Sequence, residues 1–541
     1  MAPRTCVTPD GRFRVGVHDP GFRVENLRQN CFHSVLGRLP DGRPVENHVN
    51  FPPSAVQADQ TDRIYEVANP FPFRGATFIN SAWADRHAGK PDTVVVPEAP
   101  ECSLRKNLAD WQNAAGTDAS NLPPLADILP RPLMLALAQA STDPDELAAM
   151  AAKACTLLFE NNDGQPTGLA FREDKNGKYI PQIHDHDLYD ILGNNPFLPD
   201  AYKEVMVLRP GIQGNSEIVG EAATDTHVFE YLRRNSYIPW GHFAANMAND
   251  QIRYRARDLS PADMAGIRHL YYQRIYVRLA GQLNLDLPAT DRPLAPEELE
   301  TLRQDLCRQI SKANAGALRF NSALWGWNFG FGFAQSGHRL HASHQMIHQQ
   351  NAMVPGTVAD QNGTPYDCFS CGDLVTEFIR EFKAAHNRDF FPAYLEAIRT
   401  NQRTDGITQG PSSLIVDEDD RVVLFAPKAQ ICEWELQLMT KTACAHILDA
   451  DTRMRQSLDR AMLTAVQTLE SLGADMVTGI EFSGRFDAPA TGQHLVYSFI
   501  PRLPYAPATF SEAQLRWISG CYPEDFARAC RRAVTTNKEE P

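Results

Sequence analysis

A histidine-rich segment that follows a run of aromatic and glycine residues is the feature that most constrains this chain. Residues 325–333 read Trp-Gly-Trp-Asn-Phe-Gly-Phe-Gly-Phe, and four of the sixteen histidines follow within eleven residues, at His338, His341, His344 and His348. Aromatic residues favour strands, and glycine in a strand allows another group to approach closely. Imidazoles act near neutral pH as nucleophiles, proton carriers or metal ligands. The segment therefore predicts a functional site carried by a strand.

The spacing of the histidines allows two geometries. In a strand, alternate side chains share a face. One face would then be polar and suited to an anionic ligand, while the other would be mostly apolar and would include His338 and His344. The polar face would carry Arg339, His341, Ser343 and Gln345. In a helix, His341, His344 and His348 would instead line up as a stripe typical of metal ligands. The upstream glycines and aromatics favour the strand.

The segment resembles the active-site strand of the histidine-triad superfamily, in particular its branch of galactose-1-phosphate uridylyltransferases and dinucleotide phosphorylases. The resemblance starts with Asn-x-Gly at residues 328–330, continues with Gln335-Ser336 and ends in the histidines. It places the nucleophilic histidine of the family at His341. Arg339 stands where the family has its first histidine, and Ser343 where it has its last Gln or His. A β-bulge would let His344 and Gln345 restore the missing groups.

Shorter segments resemble the same family. They lie on both sides of the histidine-rich segment, at residues 63–73, 237–243, 422–427, 495–502 and 520–528. The resemblance implies an α+β fold of histidine-triad-like halves, in which antiparallel sheets are backed by helices, with an N-terminal extension. We expect an N-terminal strand and helix region with a loop-rich insert (1–200), a half that carries the active-site strand (201–366) and a second uridylyltransferase-like half (367–541).

The resemblance also implies an activity: a nucleotidyltransferase or phosphorylase that forms a covalent nucleoside monophosphate on His341. Its catalytic residues would be His341, Arg339, Ser343 and Gln345. The substrate, a nucleotide or nucleotide sugar, would be bound by Asn328, Gln335, Ser336, His338 and His344. Whether water, phosphate or a sugar phosphate accepts the nucleotide stays open, and so does a homodimer.

Two other functions remain open. Replacement of the family's first histidine by Arg339 is also what a catalytically degenerate nucleotide-binding protein would show. A zinc-dependent enzyme would use the histidine cluster with Cys368-x-x-Cys371, whose spacing suits zinc. The weak candidate ligands are Cys368, Cys371, His344 and His348. The positions of the family's structural metal ligands in the second half read Val496 and Ser498, so no cofactor is firmly predicted, while zinc stays open.

Composition and charge narrow the class of protein. The 541 residues suffice for two or three domains. The net charge of −14 argues against a general nucleic-acid binder, which needs a basic face. We expect no membrane span and no signal peptide, because long apolar runs are missing. The eleven irregularly spaced cysteines do not suggest a disulfide framework, so a cytoplasmic location is expected.

Periodicity and end signals predict the main helices. They are expected at residues 133–140, from 143 onward, at 262–283 (after Ser260-Pro261), at 296–313, at 373–399 and at 452–472. Strands are expected at Val205–Val207 and Val228–Tyr231, among others. Residues 104–130 are expected to form a connection and 163–200 a loop-rich insert. In that insert, residues 184–187 (His-Asp-His-Asp) suit either a metal site or a surface loop.

Overall fold

The computed structural model describes most of the chain. The described residues are 3–25, 27, 34–47, 54–98, 100–116, 124–160, 164–177, 179–208, 219–221, 229–231, 256–287, 294–312, 316–329, 347–503 and 509–539.

Strands are distributed along the whole described chain. They are β1 (Gly16–His18), β2 (Phe22–Val24), β3 (Val35–Arg38), β4 (Pro44–Glu46), β5 (Val56–Ala58), β6 (Ile64–Ala68), β7 (Ala76–Asn80), β8 (Leu157–Leu158), β9 (Gly168–Leu169), β10 (Phe171–Glu173), β11 (Tyr179–Pro181), β12 (Val219–Glu221), β13 (Phe229–Tyr231), β14 (Phe320–Phe329), β15 (Ile347–Pro355), β16 (Thr357–Ala359), β17 (Pro365–Asp367), β18 (Ile415–Glu418), β19 (Val422–Phe425), β20 (Leu436–Thr440), β21 (Met476–Phe482), β22 (Val496–Arg502) and β23 (Arg516–Ser519).

Helices lie between and after these strands. They are α1 (Ser81–His87), α2 (Leu104–Ala115), α3 (Leu125–Ile128), α4 (Arg131–Ala140), α5 (Pro144–Ala154), α6 (His186–Asn194), α7 (Asp200–Lys203), α8 (Pro261–Gln282), α9 (Pro296–Ile310), α10 (Cys371–His386), α11 (Phe390–Arg399), α12 (Thr452–Ser471), α13 (Thr509–Gln514) and α14 (Pro523–Glu539). Among the helices of the described residues, none combines the length and the apolar character that crossing a bilayer requires.

A seven-stranded antiparallel sheet forms the centre of the structure, in the order β15-β14-β21-β22-β20-β19-β18. Strands from both sides of residue 366 share this sheet, since β14 pairs with β15 and with β21. The predicted division of the chain at residues 200 and 366 stays a prediction. The predicted fold class, α+β with antiparallel sheets backed by helices, is confirmed.

Helices cover both faces of the central sheet. On one face, Tyr271 of α8 stacks on Trp325 of β14, with ring centroids 4.5 Å apart, and α12 completes a large apolar core. On the other face, Phe378 of α10 and Phe390 of α11 form an aromatic core with Phe71 from the N-terminal region. The sheet therefore has an apolar core on each of its two faces. A polar side chain in the sheet then needs a hydrogen-bond partner or a position near an end of the sheet that water can reach.

A second, four-stranded sheet ties the N-terminal region to the C-terminal region. Its order is β1-β6-β7-β23, and the last pair is parallel. Two buried ion pairs connect α14, the helix that follows β23, to residues outside this sheet. Lys428 Nζ lies 2.6 Å from Glu524 Oε1, and Arg403 Nη2 lies 2.9 Å from Asp525 Oδ2. Both carboxylates belong to the first turn of α14, where negative charge also favours the helix dipole.

The predicted long helices are confirmed within a few residues of their bounds. Ser260 caps α8 as expected: its hydroxyl accepts a hydrogen bond from the Asp263 backbone at 3.2 Å, and Pro261 is the first helical residue. Asp143 caps α5 in the same way. These helices were predictable because their caps and apolar periodicity are local in sequence.

Three local predictions were wrong. The expected strand Val205–Val207 lies in a π-helical turn, Glu204–Leu208, and Val205 packs in a helical core instead of a sheet. The expected connection contains α2, which Ser103 caps, and the expected loop-rich insert contains α6, which Asp185 caps. Short apolar runs do not distinguish a strand from a buried helical turn. The two helices were missed although each begins at a side-chain cap, Ser103 for α2 and Asp185 for α6.

A carboxyl group is buried in the larger core. Glu481 of β21 accepts hydrogen bonds from Tyr271 Oη at 3.0 Å and from Tyr497 Oη at 2.7 Å. Burial raises the pKa of Glu481 to about 7, although the two tyrosine hydrogen bonds lower it. The folded state therefore binds the Glu481 proton more tightly than the unfolded chain, whose pKa stays at the ordinary value of 4.5.

We predict that the buried Glu481 carboxyl group makes the protein less stable as the pH rises from about 4.5 to about 7. In that window the folded state holds more protons on Glu481 than the unfolded state, so the free energy of unfolding falls by up to about 1.4 kcal/mol per pH unit. Glu481→Gln should remove this contribution, measured by urea denaturation at several pH values. Parallel curves for the wild type and Glu481→Gln would contradict the prediction. Glu381→Gln, on an exposed part of α10, is the matched control and should follow the wild type.

Candidate functional site at the end of the central sheet

Most of the predicted site residues lie in one stretch, 330–346, that is outside the described residues. They are Gln335, Ser336, His338, Arg339, His341, Ser343, His344 and Gln345. Asn328 is described in full, and the backbone of His348 is described as part of β15. The roles assigned to the undescribed residues stay predictions.

The described residues on either side of this stretch lie side by side. β14 ends at Phe329, β15 begins at Ile347, and these two residues are directly paired. Phe329 also pairs with Val477 of β21. His341 is six residues from Ile347, so chain length alone keeps their Cα atoms within about 21 Å. The chain therefore leaves the described structure and re-enters it at the same end of the central sheet.

Asn328 and Thr478 form a polar pair at that end. They lie opposite each other on β14 and β21, and the Thr478 hydroxyl donates to Asn328 Oδ1 at 2.8 Å. Both side chains are half-buried, so they are ordered yet accessible. Sequence reasoning identified Asn328 but missed Thr478. No local signal marks Thr478, because a threonine is an ordinary strand residue and its partner lies 150 positions away.

Close packing on the neighbouring positions sets the register of this pair. Trp327 lies opposite Gly479, and a Cβ atom on Gly479 would come within 2.4 Å of the Trp327 ring. Trp327 also packs on Trp325, with ring centroids 4.1 Å apart. Since a slip of one residue would turn every side chain to the other face, the fit of Trp327 on Gly479 keeps Asn328 opposite Thr478.

Further polar residues on the same face of the sheet are already paired with one another. Glu435, which is fully buried, accepts hydrogen bonds from Arg74 Nη1 at 2.7 Å, from Gln437 Nε2 at 3.1 Å and from the Ile431 backbone at 2.8 Å. Arg74 also donates to Ser498 Oγ at 3.1 Å. The partners of Glu435 compensate its charge, so this network stabilises the fold.

The positions of the family's metal ligands have structural roles here. Val496 packs in the aromatic core, and the Ser498 hydroxyl donates to Glu435 Oε1. Throughout the part of the chain that the structure describes, no group of three or more His, Cys, Asp or Glu side chains is arranged to hold a metal ion. Residues 184–187 do not form such a group either: Asp185 caps α6 and pairs with Arg131 at 2.6 Å.

The proposed zinc site of Cys368, Cys371, His344 and His348 needs correction. His348 pairs with Asn328 at one end of β15, while the Cys368 backbone donates to Gly356 O, just beyond the other end, at 3.0 Å. Pro355 lies seven residue steps after His348 along the strand, a distance of about 23 Å. Zinc bonds of about 2.0–2.3 Å cannot span that separation. His348 and the cysteine pair therefore do not share a metal.

The two cysteines also differ in environment. Cys371 begins α10, and its thiol donates to Glu481 O at 3.5 Å. Burial raises the pKa of the Cys371 thiol to about 11, which disfavours the thiolate that zinc requires. Both cysteines are free in the structure.

We predict that the purified protein holds less than about half an equivalent of zinc, because two cysteines cannot complete a tetrahedral site. Cys368→Ser should leave the metal content unchanged, as measured by elemental analysis. Cys102→Ser, another partly exposed free cysteine, is the matched control. Stoichiometric zinc that disappears in Cys368→Ser alone would refute the prediction.

A cavity of about 430 Å³ lies away from this end of the sheet, between residues 10–15, the end of α11 and Lys428. Its buried cations, Lys428 and Arg403, are paired with Glu524 and Asp525. Because these charges are already compensated, neither of the two buried cations is free to bind an anionic ligand.

The chain was compared with known proteins. No family model matches it, and no curated protein matches it. Among solved structures, it is similar to a GalT-like protein from Arabidopsis thaliana, with 14% identity and a TM-score of 0.34 over 51% of this chain and 71% of that one. It is also similar to an ADP-glucose phosphorylase from Arabidopsis thaliana with bound ADP-glucose, with 13% identity and a TM-score of 0.34 over 53% of this chain and 71% of that one. A third similar structure is a uridylyltransferase, with 12% identity and a TM-score of 0.37 over 68% of this chain and 98% of that one.

These neighbours are of the kinds that the sequence resembles, namely uridylyltransferase and phosphorylase enzymes. Their identities of 12–14% and TM-scores of 0.34–0.37 are too low to assign a function to this chain.

Proposed function

We propose that this protein transfers a nucleoside monophosphate from a nucleotide or nucleotide sugar through a covalent intermediate on His341. The observation that supports this is the pairing of Phe329 with Ile347, the described residues on either side of the stretch 330–346. They lie beside the half-buried Asn328–Thr478 pair, at the end of a sheet whose register is fixed by packing. A site of this kind needs such a rigid support, since reacting groups lose efficiency when they are misplaced by as little as about 1 Å.

The reaction proceeds in two displacements. In the first, the neutral imidazole of His341 attacks the α-phosphorus, a nitrogen–phosphorus bond forms, and the bond from phosphorus to the leaving oxygen breaks. In the second, an oxygen of the acceptor attacks the same phosphorus and releases His341. Water, phosphate or a sugar phosphate as acceptor makes the enzyme a hydrolase, a phosphorylase or a transferase.

The phosphoryl oxygens gain negative charge in both steps, and donors placed around them lower the barrier. Arg339, Ser343 and Gln345 supply a guanidinium, a hydroxyl and an amide for this purpose. Asn328 adds an amide from the end of β14. Gln335, Ser336, His338 and His344 complete the proposed contacts with the substrate.

Replacing His341 with Ala should abolish both turnover and covalent labelling, because the nucleophile is lost. The measurement is incubation with nucleotide labelled at the α-phosphate, followed by detection of acid-labile label on the protein. His18→Ala is the matched control, since His18 is exposed and pairs with Glu66 in the distant four-stranded sheet. Normal labelling of His341→Ala would sink the assignment and would make His344 the next residue to replace.

Replacing Arg339 with Ala should lower turnover roughly 10²- to 10³-fold, the loss typical of one preorganised donor to a developing oxyanion. Lys at this position should restore turnover only in part, since it lacks the bidentate fork of arginine. Steady-state kinetics with the nucleotide substrate test this, with exposed Arg12→Ala as the control. Unchanged kinetics in Arg339→Ala would mean that this side chain does not reach the phosphate.

A catalytically degenerate nucleotide-binding protein is the second candidate. The observation in its favour is the arginine at position 339, where the family has a histidine. The labelling experiment separates the two functions, because a protein that only binds nucleotide retains it without forming the acid-labile bond.

A further inference from the structure

Two strand pairs near the start of the chain take no part in the apolar cores of the described structure. β2 pairs with β5 and β3 pairs with β4, and within the described residues no third strand joins either pair. None of their side chains belongs to a core, and most of them are exposed. Since a lone pair of strands is at best marginally stable in water, these pairs gain most from contact with another surface.

The β2–β5 pair has one apolar face. Phe22 lies opposite Ala58, and Val24 lies opposite Val56. Because alternate residues of a strand share a face, these four side chains lie on the same side of the pair, which we call the ribbon face. Phe22, Val24 and Val56 are 45%, 47% and 37% exposed. Apolar residues that alternate with polar ones are typical of a sheet with one face packed on a core, so the ribbon face has the pattern of a covered surface.

The opposite face of the same pair is polar, and its side chains have partners close by. Arg23 Nε lies 2.8 Å from Glu25 Oε1. Gln57 Nε2 donates to Asp59 Oδ1 at 3.2 Å. The polar face is therefore suited to water, and the ribbon face is the one suited to a partner.

The charge around the ribbon face favours a second copy of this chain as that partner. Residues 16–58, from β1 to β5, contain four arginines and four carboxylates and no lysine, so their formal charges cancel. The whole chain carries −14. A strongly charged partner such as a nucleic acid finds no opposite charge here. Two copies of an acidic chain repel each other over much of their surface, and the repulsion is smallest where a neutral, apolar part of one copy meets the same part of the other.

We propose that the ribbon face packs against the ribbon face of a second copy, so that the chain forms a dimer with two-fold symmetry. In such a dimer the same patch is used by both copies, which an apolar face allows because it is complementary to itself. Two strand pairs stacked face to face, about 10 Å apart, would cover the side chains that are exposed in one copy. This contact does not depend on the proposed nucleotidyl transfer.

The test is sedimentation velocity of the full chain between about 1 and 100 µM, which covers the affinity of a weak interface. The mass of the wild type should rise from 60.3 kDa toward twice that value. Val24→Glu brings two carboxylates into an apolar contact, so the dissociation constant of the dimer should increase at least about 10-fold. Gln57→Glu is the matched control, because it adds the same charge on the opposite face of the same strand pair, and it should dimerise like the wild type.

Three results would overturn the proposal. They are a wild type that keeps the mass of one chain up to about 100 µM, a Val24→Glu variant that dimerises as tightly as the wild type, and a Gln57→Glu variant that loses the dimer to the same extent as Val24→Glu. Thermal melting shows whether Val24→Glu is folded. If it is not, Val24→Thr takes its place, since threonine keeps the branched shape and the strand preference of valine while it adds a polar group.

Discussion

The contact between Trp327 and Gly479 is the constraint on which the candidate site depends. A glycine opposite the indole ring lets β14 and β21 pair closely while the ring packs under α8. Any side chain at position 479 would move the ring or the strand, since its Cβ would lie 2.4 Å from Trp327 Cε2. The same contact that completes the core thus places Asn328 opposite Thr478. Packing, and not polar attraction, sets the geometry of the polar pair.

Buried charges join the N-terminal region to this sheet. Arg74 and Glu435 are almost completely buried, and taking such charges out of water costs more than their attraction returns unless further hydrogen bonds are made. Here Gln437, Ser498 and a backbone amide provide them. This ion pair therefore links Arg74 of the N-terminal region to the central sheet, and Ser498 hydrogen-bonds to both of its members.

The sequence predicted the long helices well because their information is local. α8, α9, α12 and the α10–α11 region each carry an apolar stripe, and α8 and α12 begin at a side-chain cap. The wrong strand at 205–207 shows the limit of such reasoning, since Val205 and Met206 are buried by helices that are distant in sequence. Asn328 was predicted as a site residue from its motif, and that role stays a prediction. Thr478 was not, because only the pairing of two strands brings it there.

The same logic explains the zinc prediction and its correction. Cys368-x-x-Cys371 and the histidines are close in sequence, and sequence distance suggested a common site. β15 instead runs straight from His348 to Pro355, and its length carries the two groups to opposite ends of the sheet. A strand separates residues more effectively than a helix of equal length, about 3.3 Å against 1.5 Å per residue. Residues that are close in sequence can therefore lie too far apart in the fold to share a metal.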